Sequence, residues 1–375
     1  MTESLVVGVD AGATSTRVAV HTLDGTRVGY ARAGAGNPSA HGLAKAVANI
    51  GEALAEALGA HDGAQVVASL AGVAGHVQEM VPELAKVWGR HRIPEGPQYR
   101  GDVTIGYAAG TAEPDGSLLL SGTGAVAARL KGYDLDALAD GLGWLLGDAG
   151  SGFWIGRQAA KAAVAAFDRG LPVEAIAAGL PVEEGGLPVG EDGLPVEEGG
   201  LPVKDGGLPV KDGGLPIEAV EGGTGEAGSA SHGGVLVSLV AQDFLGDERP
   251  ISPRAVADRI VRLAQADHMR LASLSALVSR AAEAGDPAAA KIVHEAAGHL
   301  VATLERVHVA GPVVLAGSVL TSEGPVRRAV MELLAGHTVT TAGDAAGAAA
   351  WLAARAVLPE AQARAAHAAF TTLVA

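Results

Sequence analysis

The chain has 375 residues, enough for two lobes with separate cores at the usual ~100 to 200 residues per domain. Its formal charge of −15 and its aromatic content of 3% argue against a nucleic-acid-binding protein, because such proteins neutralise phosphates with Lys and Arg and stack bases on aromatic rings. The absence of cysteine excludes disulfides, thiolate zinc sites, cysteine nucleophiles and cysteine-held iron–sulfur clusters.

The chain carries no sequence signal for export or for membrane insertion. Its first residues, MTESLVVGVDAG, lack the basic, apolar and small-residue order of a secretory signal, and no uninterrupted apolar run of about 18 residues occurs. We therefore expect a cytoplasmic protein with no membrane partner.

Predicted strands and helices alternate along the chain. Short apolar runs predict strands at 5–9, 16–22, 65–70, 118–120 and 312–315, the first two forming a hairpin start. Apolar residues at helical spacing predict helices at 43–58, 77–88, 154–168, 253–265, 274–284 and 287–308, before a closing Ala-rich helix. This order predicts an α/β protein with mixed sheets.

One segment, 171–234, differs from the rest in composition. Its 64 residues include 17 Gly and 7 Pro, no aromatic residue, and a seven-residue repeat of the form GLPV-acid-acid-G. Gly and Pro in every repeat exclude a coiled coil, and one Leu and one Val per repeat bury too little apolar surface to offset chain entropy. We expect a mobile surface insert; an interaction tract or lid is the functional alternative.

The first of three glycine-rich turns follows the first predicted strand and runs Asp10-Ala-Gly12-Ala-Thr14-Ser15-Thr16. It offers unshielded backbone N–H groups, three hydroxyl donors, and a carboxylate at a strand end that can hold hydrated Mg²⁺. Taken alone, such a turn is equally typical of a hairpin.

Two further turns of this kind follow later strands. Gly122, Thr123 and Gly124 come after the strand at 118–120, and Gly317 and Ser318 come after the strand at 312–315. Three such turns along one chain favour a site that binds a nucleotide through its phosphates. The pattern Gly122-x-Gly124-x-x-Ala127, with Asp140 nearly twenty residues on, also fits a loose dinucleotide fingerprint, which is weak when it stands alone.

The first turn resembles the first phosphate motif of the actin, Hsp70 and sugar kinase superfamily. More narrowly, the stretch GLGWLLGDAGSGFWIGRQA at 141–159 resembles the N-acetylglucosamine kinase and BadF/BadG-type ATPase family. Further matches fall in the family's order, namely Asn37-Pro38, ASLAG at 68–72, Gly101-Asp102 and LSGTG at 120–124. The likeness covers nearly everything outside the insert.

This resemblance implies a two-lobed actin-like ATPase fold, related to ribonuclease H, with mixed β-sheets and an interdomain cleft. The N-terminal lobe is expected at 1–117 and the C-terminal lobe at 118–351, with the insert at 171–234 inside the second lobe. A C-terminal helix at about 352–375 is expected to pack back on the first lobe. A homodimer is expected as the assembly.

The resemblance also implies roles for individual residues. Asp10 would organise Mg²⁺ through water, and Asp102 matches the catalytic base. The residues that would hold ATP are Gly12, Thr14, Ser15, Thr16, Gly122, Thr123, Gly124, Gly317 and Ser318. The residues that would bind the sugar are Asn37, Gly72, Asp102, Gly141 and Asp148. A helix-capping role is the structural alternative for both Asp102 and Asp148.

Two departures from the family pattern bear on the substrate. Leu142 stands where relatives often carry Trp, and Ala149 stands where Glu is usual. An apolar platform for an acetamide is then missing, while Asp102 and Asp148 can favour a protonated amine. We expect a glucosamine 6-kinase, with N-acetylglucosamine as the alternative acceptor and a non-catalytic nucleotide sensor as the non-enzyme alternative. The missing cysteines exclude the activator ATPases that hold an iron–sulfur cluster.

Overall fold

The computed structural model describes residues 4–75, 78–173, 176 and 234–373. Nearly all of the predicted repeat insert at 171–234 therefore lies outside the described residues. Within the described part, two five-stranded sheets with flanking helices confirm the α/β class with mixed sheets. No helix in the described ranges is both long and apolar enough to cross a membrane.

The first sheet is formed by the N-terminal part of the chain. Its strands are β1 (Leu5–Ala11), β2 (Thr16–Thr22), β3 (Arg27–Ala33), β4 (Val66–Val73) and β5 (Gln98–Arg100). The spatial order is β3-β2-β1-β4-β5, in which β1 pairs antiparallel with β2 and parallel with β4. The carboxyl ends of β1, β4 and β5 therefore meet at one edge of the sheet.

The second sheet repeats the same topology. Its strands are β6 (Gly116–Ser121), β7 (Ala125–Lys131), β8 (Asp134–Asp140), β9 (Val313–Ala316) and β10 (Val339–Thr341). The spatial order is β10-β9-β6-β7-β8, with β6 antiparallel to β7 and parallel to β9. Ser121 and Ala316 thus end neighbouring strands at one edge.

The helices in the described residues cover both sheets. The helices before the insert are α1 (Pro38–His41), α2 (Leu43–Leu58), α3 (Met80–Arg90), α4 (Asp102–Ala108) and α5 (Gly152–Asp168). After it come α6 (Val235–Leu245), α7 (Pro253–Ala266), α8 (Arg270–Ser273), α9 (Ser275–Glu283) and α10 (Pro287–Glu305). The last are α11 (Ser318–Thr321), α12 (Pro325–Leu333), α13 (Ala345–Ala354) and α14 (Glu360–Thr371).

Two helices, α4 and α13, lie between the sheets. On the far face of the first sheet, α2 and α3 pack against alternate residues of β1 such as Val7 and Val9. On the near face, a β-carbon added to Gly8 would lie 2.0 Å from the carbonyl oxygen of Ala346 in α13. In α4, Ile105 packs against β4 while Gly106 contacts Leu118 of the second sheet. The start of α4 is thereby fixed relative to both sheets.

Residues near the C-terminus return to the first sheet. The Phe370 ring in α14 lies 4.8 Å from the imidazole of His21 in β2, and Arg27 donates a hydrogen bond to the carbonyl oxygen of Thr372. His21 is fully buried, and neither ring nitrogen has a hydrogen-bond partner. Burial, reinforced by the nearby Arg27 charge, lowers the pKa of His21 from 6.5 to about 4.

The neutral state of His21 makes stability depend on pH. The unfolded chain binds a proton on the His21 imidazole more readily than the folded chain does. The stability that depends on neutral His21 is therefore fully present above pH 6.5 and is lost as pH falls towards 4. The loss amounts to about 3 kcal/mol. We expect the free energy of unfolding to change less between pH 7 and pH 5 in His21→Leu than in the unmodified chain. Urea titrations followed by circular dichroism measure this difference. His61→Gln, at an exposed position, is the control; an unchanged slope in His21→Leu would contradict this assignment.

Candidate functional site

Asp10 lies near the carboxyl end of β1, opposite Arg17 of β2 and Gly72 of β4. Directly paired residues on antiparallel strands face the same side of a sheet, so the two side chains meet. Arg17 Nη1 lies 3.0 Å from Asp10 Oδ2 in an ion pair whose carboxylate is 15% exposed. The strand pairing thus holds a carboxylate and its counter-charge at the sheet edge.

The turn after Asp10 presents a mixture of exposed and buried groups. Gly12 donates a 3.0 Å hydrogen bond to the carbonyl oxygen of Ser15, which closes the turn. Thr14 is exposed, whereas Ser15 and Thr16 are buried. The Thr16 hydroxyl has no hydrogen-bond partner and faces Gly36. Of the three hydroxyls, that of Thr14 is open to solvent.

Asn37 lies beside this turn. The neighbouring Gly36 donates a 3.0 Å hydrogen bond to the carbonyl oxygen of Gly12, which joins the two segments. The Asn37 side-chain oxygen accepts a 2.8 Å bond from the Ser39 backbone at the start of α1. Asn37 Oδ1 also lies 2.7 Å from where a β-carbon on Gly75 would stand.

Asp102 is the first residue of α4, which follows the last strand of the first sheet. Gly72 on β4 lacks a side chain where Ile105 of the same helix packs; an added β-carbon would lie 2.3 Å from Ile105 Cδ1. The glycine therefore lets the start of α4 lie close to the sheet edge that carries Asp10.

Burial and nearby charges shift the pKa values of Asp10 and Asp102. Burial raises the pKa of Asp10, against the opposing effect of Arg17, and the negative charge of Asp102 raises it further. Burial likewise raises the pKa of Asp102, with hydrogen bonds from its own N–H and that of Val103 acting in the opposite direction. Gly101 is the N-cap of α4, and no side chain caps this helix through a hydrogen bond, so the capping alternative for Asp102 is not observed. The Asp102 carboxylate lies close enough to Asp10 for its charge to raise the pKa of Asp10.

The second and third glycine turns lie against each other in the second sheet. Gly122, Thr123 and Gly124 connect the antiparallel strands β6 and β7, and Thr123 is exposed. Gly317 has φ of 80°, and a β-carbon there would lie 2.4 Å from the carbonyl oxygen of Ser121. Ser318 is exposed at the start of the short helix α11. Glycine is needed at 317 for both conformation and clearance.

The loop from Gly141 to Gly150 completes this second group. Gly141 donates a 3.0 Å hydrogen bond to the carbonyl oxygen of Ala125, at the start of β7. Asp148 is buried, and its Oδ2 lies 2.8 Å from the position of a β-carbon on Gly124. Burial raises the pKa of Asp148 above its ordinary value, and the Asp140 charge adds to the shift. Ser151, rather than Asp148, caps α5 by accepting from Trp154 N–H at 3.1 Å.

A cavity of about 350 Å³ opens beside Ser318. Its walls come from α5, α9, α11 and α12 and carry several polar side chains: Ser275, Ser279, Arg280, Ser318, Ser322 and Glu323. The cavity adjoins the contact between Gly317 and the Gly122 turn, so it can receive the remainder of a ligand whose phosphates reach that turn.

The predicted residues thus form two contact groups. The group on the first sheet contains Asp10, Gly12, Thr14, Ser15, Thr16, Asn37, Gly72 and Asp102. The group on the second sheet contains Gly122, Thr123, Gly124, Gly141, Asp148, Gly317 and Ser318. The contacts described above connect residues within each group, and α4, which starts at Asp102, packs against strands of both sheets.

Four residues beside these groups were not predicted from the sequence as site residues. For Arg17, the one signal in the sequence is that a charged residue stands within a predicted strand. Asp140 was noted only as part of a dinucleotide fingerprint, but Gly122–Gly124 leads into a strand instead of a helix, which removes that interpretation. Ser279 and Arg280 lie in α9. No local sequence pattern indicates that α9 lies near the Gly317 turn.

Two mixed five-stranded sheets of the same topology, with helices between them, match the fold of sugar kinases and actin-like ATPases. The sequence pattern of the BadF/BadG/BcrA/BcrD ATPase family matches residues 7–351. The chain therefore belongs to the BadF/BadG/BcrA/BcrD ATPase family. This places it among the kinase-like ATPases and supports ATP as a ligand.

Solved structures and a curated protein resemble the chain. A candidate N-acetylglucosamine kinase from Chromobacterium violaceum has a TM-score of 0.59 at 19% identity, covering 94% of this chain and 99% of that one. A second candidate N-acetylglucosamine kinase, from Porphyromonas gingivalis, has a TM-score of 0.52 at 18% identity, covering 90% and 93%. The N-acetylmuramic acid/N-acetylglucosamine kinase of Clostridium acetobutylicum is 37% identical over 68 residues, 18% of this chain and 22% of the relative's length.

Proposed function

We propose that the chain is an ATP-dependent amino-sugar kinase that transfers the γ-phosphoryl group to the 6-hydroxyl of glucosamine, giving glucosamine 6-phosphate and ADP. The observation that carries the proposal is the placement of Asp10, near the end of β1, and Asp102, at the start of α4, beside the same edge of the first sheet. Asp10 and Asp102 interact electrostatically there, and the glycine turn that begins at Gly12 follows directly. Ionisable side chains whose pKa values are shifted by burial are enriched at catalytic sites.

ATP binding is assigned to the three glycine turns. The exposed hydroxyls of Thr14, Thr123 and Ser318, together with backbone N–H groups, are donors suited to phosphate oxygens. The polar cavity beside Ser318 is assigned to the nucleoside, with Ser279 and Arg280 as donors to its hydroxyl groups. We propose that closure of the two lobes brings Thr123 towards Asp102.

Mg²⁺ is assigned to Asp10. No group of three or more Asp, Glu, His or Cys side chains in the described residues has metal-site geometry. The strand-end carboxylate of Asp10 fits Mg²⁺, which usually keeps several waters and takes its remaining ligands from substrate phosphates. When bound, the ion would neutralise charge that develops on the transferred phosphoryl group.

Asp102 is assigned as the general base. The sugar hydroxyl oxygen attacks the γ-phosphorus, the bond to the β–γ bridging oxygen breaks, and ADP leaves while the hydroxyl proton passes to the Asp102 carboxylate. Phosphoryl transfer needs this proton acceptor late, and positioning supplies most of the remaining rate. The raised pKa of Asp102 makes the carboxylate a better proton acceptor than an exposed aspartate.

Asn37, Gly72, Gly141 and Asp148 are assigned to the sugar hydroxyls. Glucosamine is favoured because buried carboxylates attract a protonated amine, and Asp102 and Asp148 are both buried enough for their pKa values to rise. N-Acetylglucosamine is the second candidate, and one observation supports it. The sequence predicted that Leu142 leaves no apolar platform for an acetamide, but Leu142 is 71% exposed in the loop that carries Asp148 and offers an apolar surface there. A cytoplasmic location and a homodimer belong to the same proposal.

A coupled ADP-release assay with Mg²⁺–ATP tests the substrate assignment. We expect a higher kcat/KM for glucosamine than for N-acetylglucosamine, with little activity on glucose because glucose lacks the amine. A higher kcat/KM for the acetylated sugar would transfer the assignment to the second candidate. ATP turnover that no sugar stimulates would contradict both.

A further inference from the structure

The loop between β8 and α5 is bounded by two aspartates in an unusual backbone conformation. Asp140 has φ of 63° and Asp148 has φ of 57°, values in the left-handed region that few residues other than glycine adopt. Such a conformation is strained and persists when surrounding interactions fix it. The loop therefore depends on interactions that hold its two ends.

Those interactions are reciprocal hydrogen bonds between side chain and backbone. Asp140 Oδ1 accepts from Asp148 N–H at 2.8 Å, and Asp140 Oδ2 accepts from Ala149 N–H at 3.2 Å. Asp148 Oδ1 in turn accepts from Gly143 N–H at 3.2 Å. We refer to these three bonds as the aspartate clasp. Each carboxylate binds backbone near the opposite end of the loop, which closes the loop on itself.

The clasp also sets where the Asp148 carboxylate points. While Oδ1 bonds Gly143, Oδ2 lies against Gly124, in the turn assigned to phosphate. Asp140 fixes the Asp148 backbone and so fixes the distance between this carboxylate and the turn. Hydrogen bonds that backbone N–H groups donate to a carboxylate are among the stronger hydrogen bonds, which suits a positioning role.

We propose that Asp140 is a positioning residue that acts through Asp148 on the acceptor sugar. The inference rests on the proposed function for the sugar and on the clasp geometry for the mechanism. Asp140 touches neither reactant in this assignment. Its loss should therefore weaken sugar binding while leaving ATP binding intact.

Kinetics of three variants test the proposed effect on sugar binding. We expect Asp140→Ala and Asp140→Gly to raise the KM for the sugar at least tenfold, with the KM for ATP changed less than twofold. Glycine relieves the backbone conformation but removes both acceptors, so it separates the clasp from the strain. Asp140→Asn keeps one acceptor and tolerates a positive φ, and it should recover most of the loss. Asp136→Asn, on the exposed part of the same strand, is the matched control.

Fluorescence tests the clasp without any substrate. Trp144 lies inside the loop and is 39% exposed, whereas Trp88, Trp154 and Trp351 are buried. Acrylamide quenching therefore reports mainly on Trp144. We expect Asp140→Ala and Asp140→Gly to raise the quenching constant about 1.5-fold or more, since the loop is no longer tied and mobile segments expose their side chains.

The outcomes separate the two ideas. Unchanged quenching in both variants overturns the clasp, whether or not the chain phosphorylates sugars. Increased quenching with an unchanged sugar KM, or a full effect in Asp140→Asn, overturns the positioning role. Absence of turnover by the unmodified chain contradicts the proposed function instead, and quenching then decides the clasp alone.

Discussion

Asp102→Asn is expected to lower kcat by two to four orders of magnitude, the range that a positioned general base contributes, while the KM for ATP stays near its original value. Asparagine keeps the shape of the side chain and loses the proton acceptor. Because Asp102 lies at the start of α4 and away from the polar cavity beside Ser318, nucleotide binding is preserved. Initial-rate measurements with saturating sugar and varied ATP give both constants.

Stability measurements distinguish this effect from misfolding. Burial raises the pKa of Asp102, so the folded chain binds its proton more readily than the unfolded chain does. The stabilising influence of that proton is present below the unfolded pKa and is lost as pH rises, which means that the ionised group costs stability at pH 7. Asp102→Asn should therefore melt at the same temperature or higher. Asp247→Asn, on an exposed turn, is the control; an active Asp102→Asn would remove the base assignment.

Gly8→Ala is expected to destabilise the fold by ~3 kcal/mol or more, at the upper end of what overpacking costs. The added β-carbon would lie 2.0 Å from Ala346 O and 2.1 Å from Ala350 N, and both are backbone atoms that cannot rotate away. Helix α13 would have to leave the first sheet, and α14 follows it in the chain. Urea unfolding followed by circular dichroism measures the change.

Gly298→Ala is the matched control for this prediction. Gly298 lies inside α10, and nothing lies within 4 Å of the position of its added β-carbon. Alanine in a helix interior is favoured over glycine by roughly 0.5–1 kcal/mol, so this variant should be slightly more stable. Equal effects of the two substitutions would contradict the close contact of β1 with α13.

Local pattern was sufficient for the elements with a clear periodicity. The strand predicted at 16–22 and the helix predicted at 43–58 coincide with β2 and α2, and the helix predicted at 154–168 falls within α5. The ends of helices were predicted less accurately. The helix predicted at 287–308 stops at Glu305, and the helix predicted from residue 77 is observed as α3, which starts at Met80.

Elements without an amphipathic pattern were missed. Helix α6 is buried on most of its surface, so its apolar residues show no preferred face. Strands β7 and β8 are rich in Ala and Asp, which are poor strand formers, and they are stabilised by pairing with their neighbours. The Ala-rich segment near the C-terminus was predicted as one helix but divides into α13 and α14 before Glu360.

The candidate site residues divide in the same way, into those with a local sequence pattern and those without one. Asp10 was proposed because it follows a predicted strand and begins a glycine-rich turn, whereas Asp102 was proposed because the Gly101-Asp102 pair matches the family resemblance. Arg17 and Asp140 act through pairing across strands and across a loop, which depend on register and on left-handed backbone angles. Such relations arise from the folded chain and leave little trace in local composition.

The central claim is that the chain moves the γ-phosphoryl group of ATP onto a sugar hydroxyl. Phosphorus-31 NMR of the unmodified protein with Mg²⁺–ATP and glucosamine tests it directly, because a phosphate ester and free phosphate have separate signals. We predict a sugar 6-phosphate signal that grows in equal amount with ADP and is absent without the sugar. ADP accompanied by inorganic phosphate alone, at a rate independent of glucosamine and N-acetylglucosamine, would contradict the account.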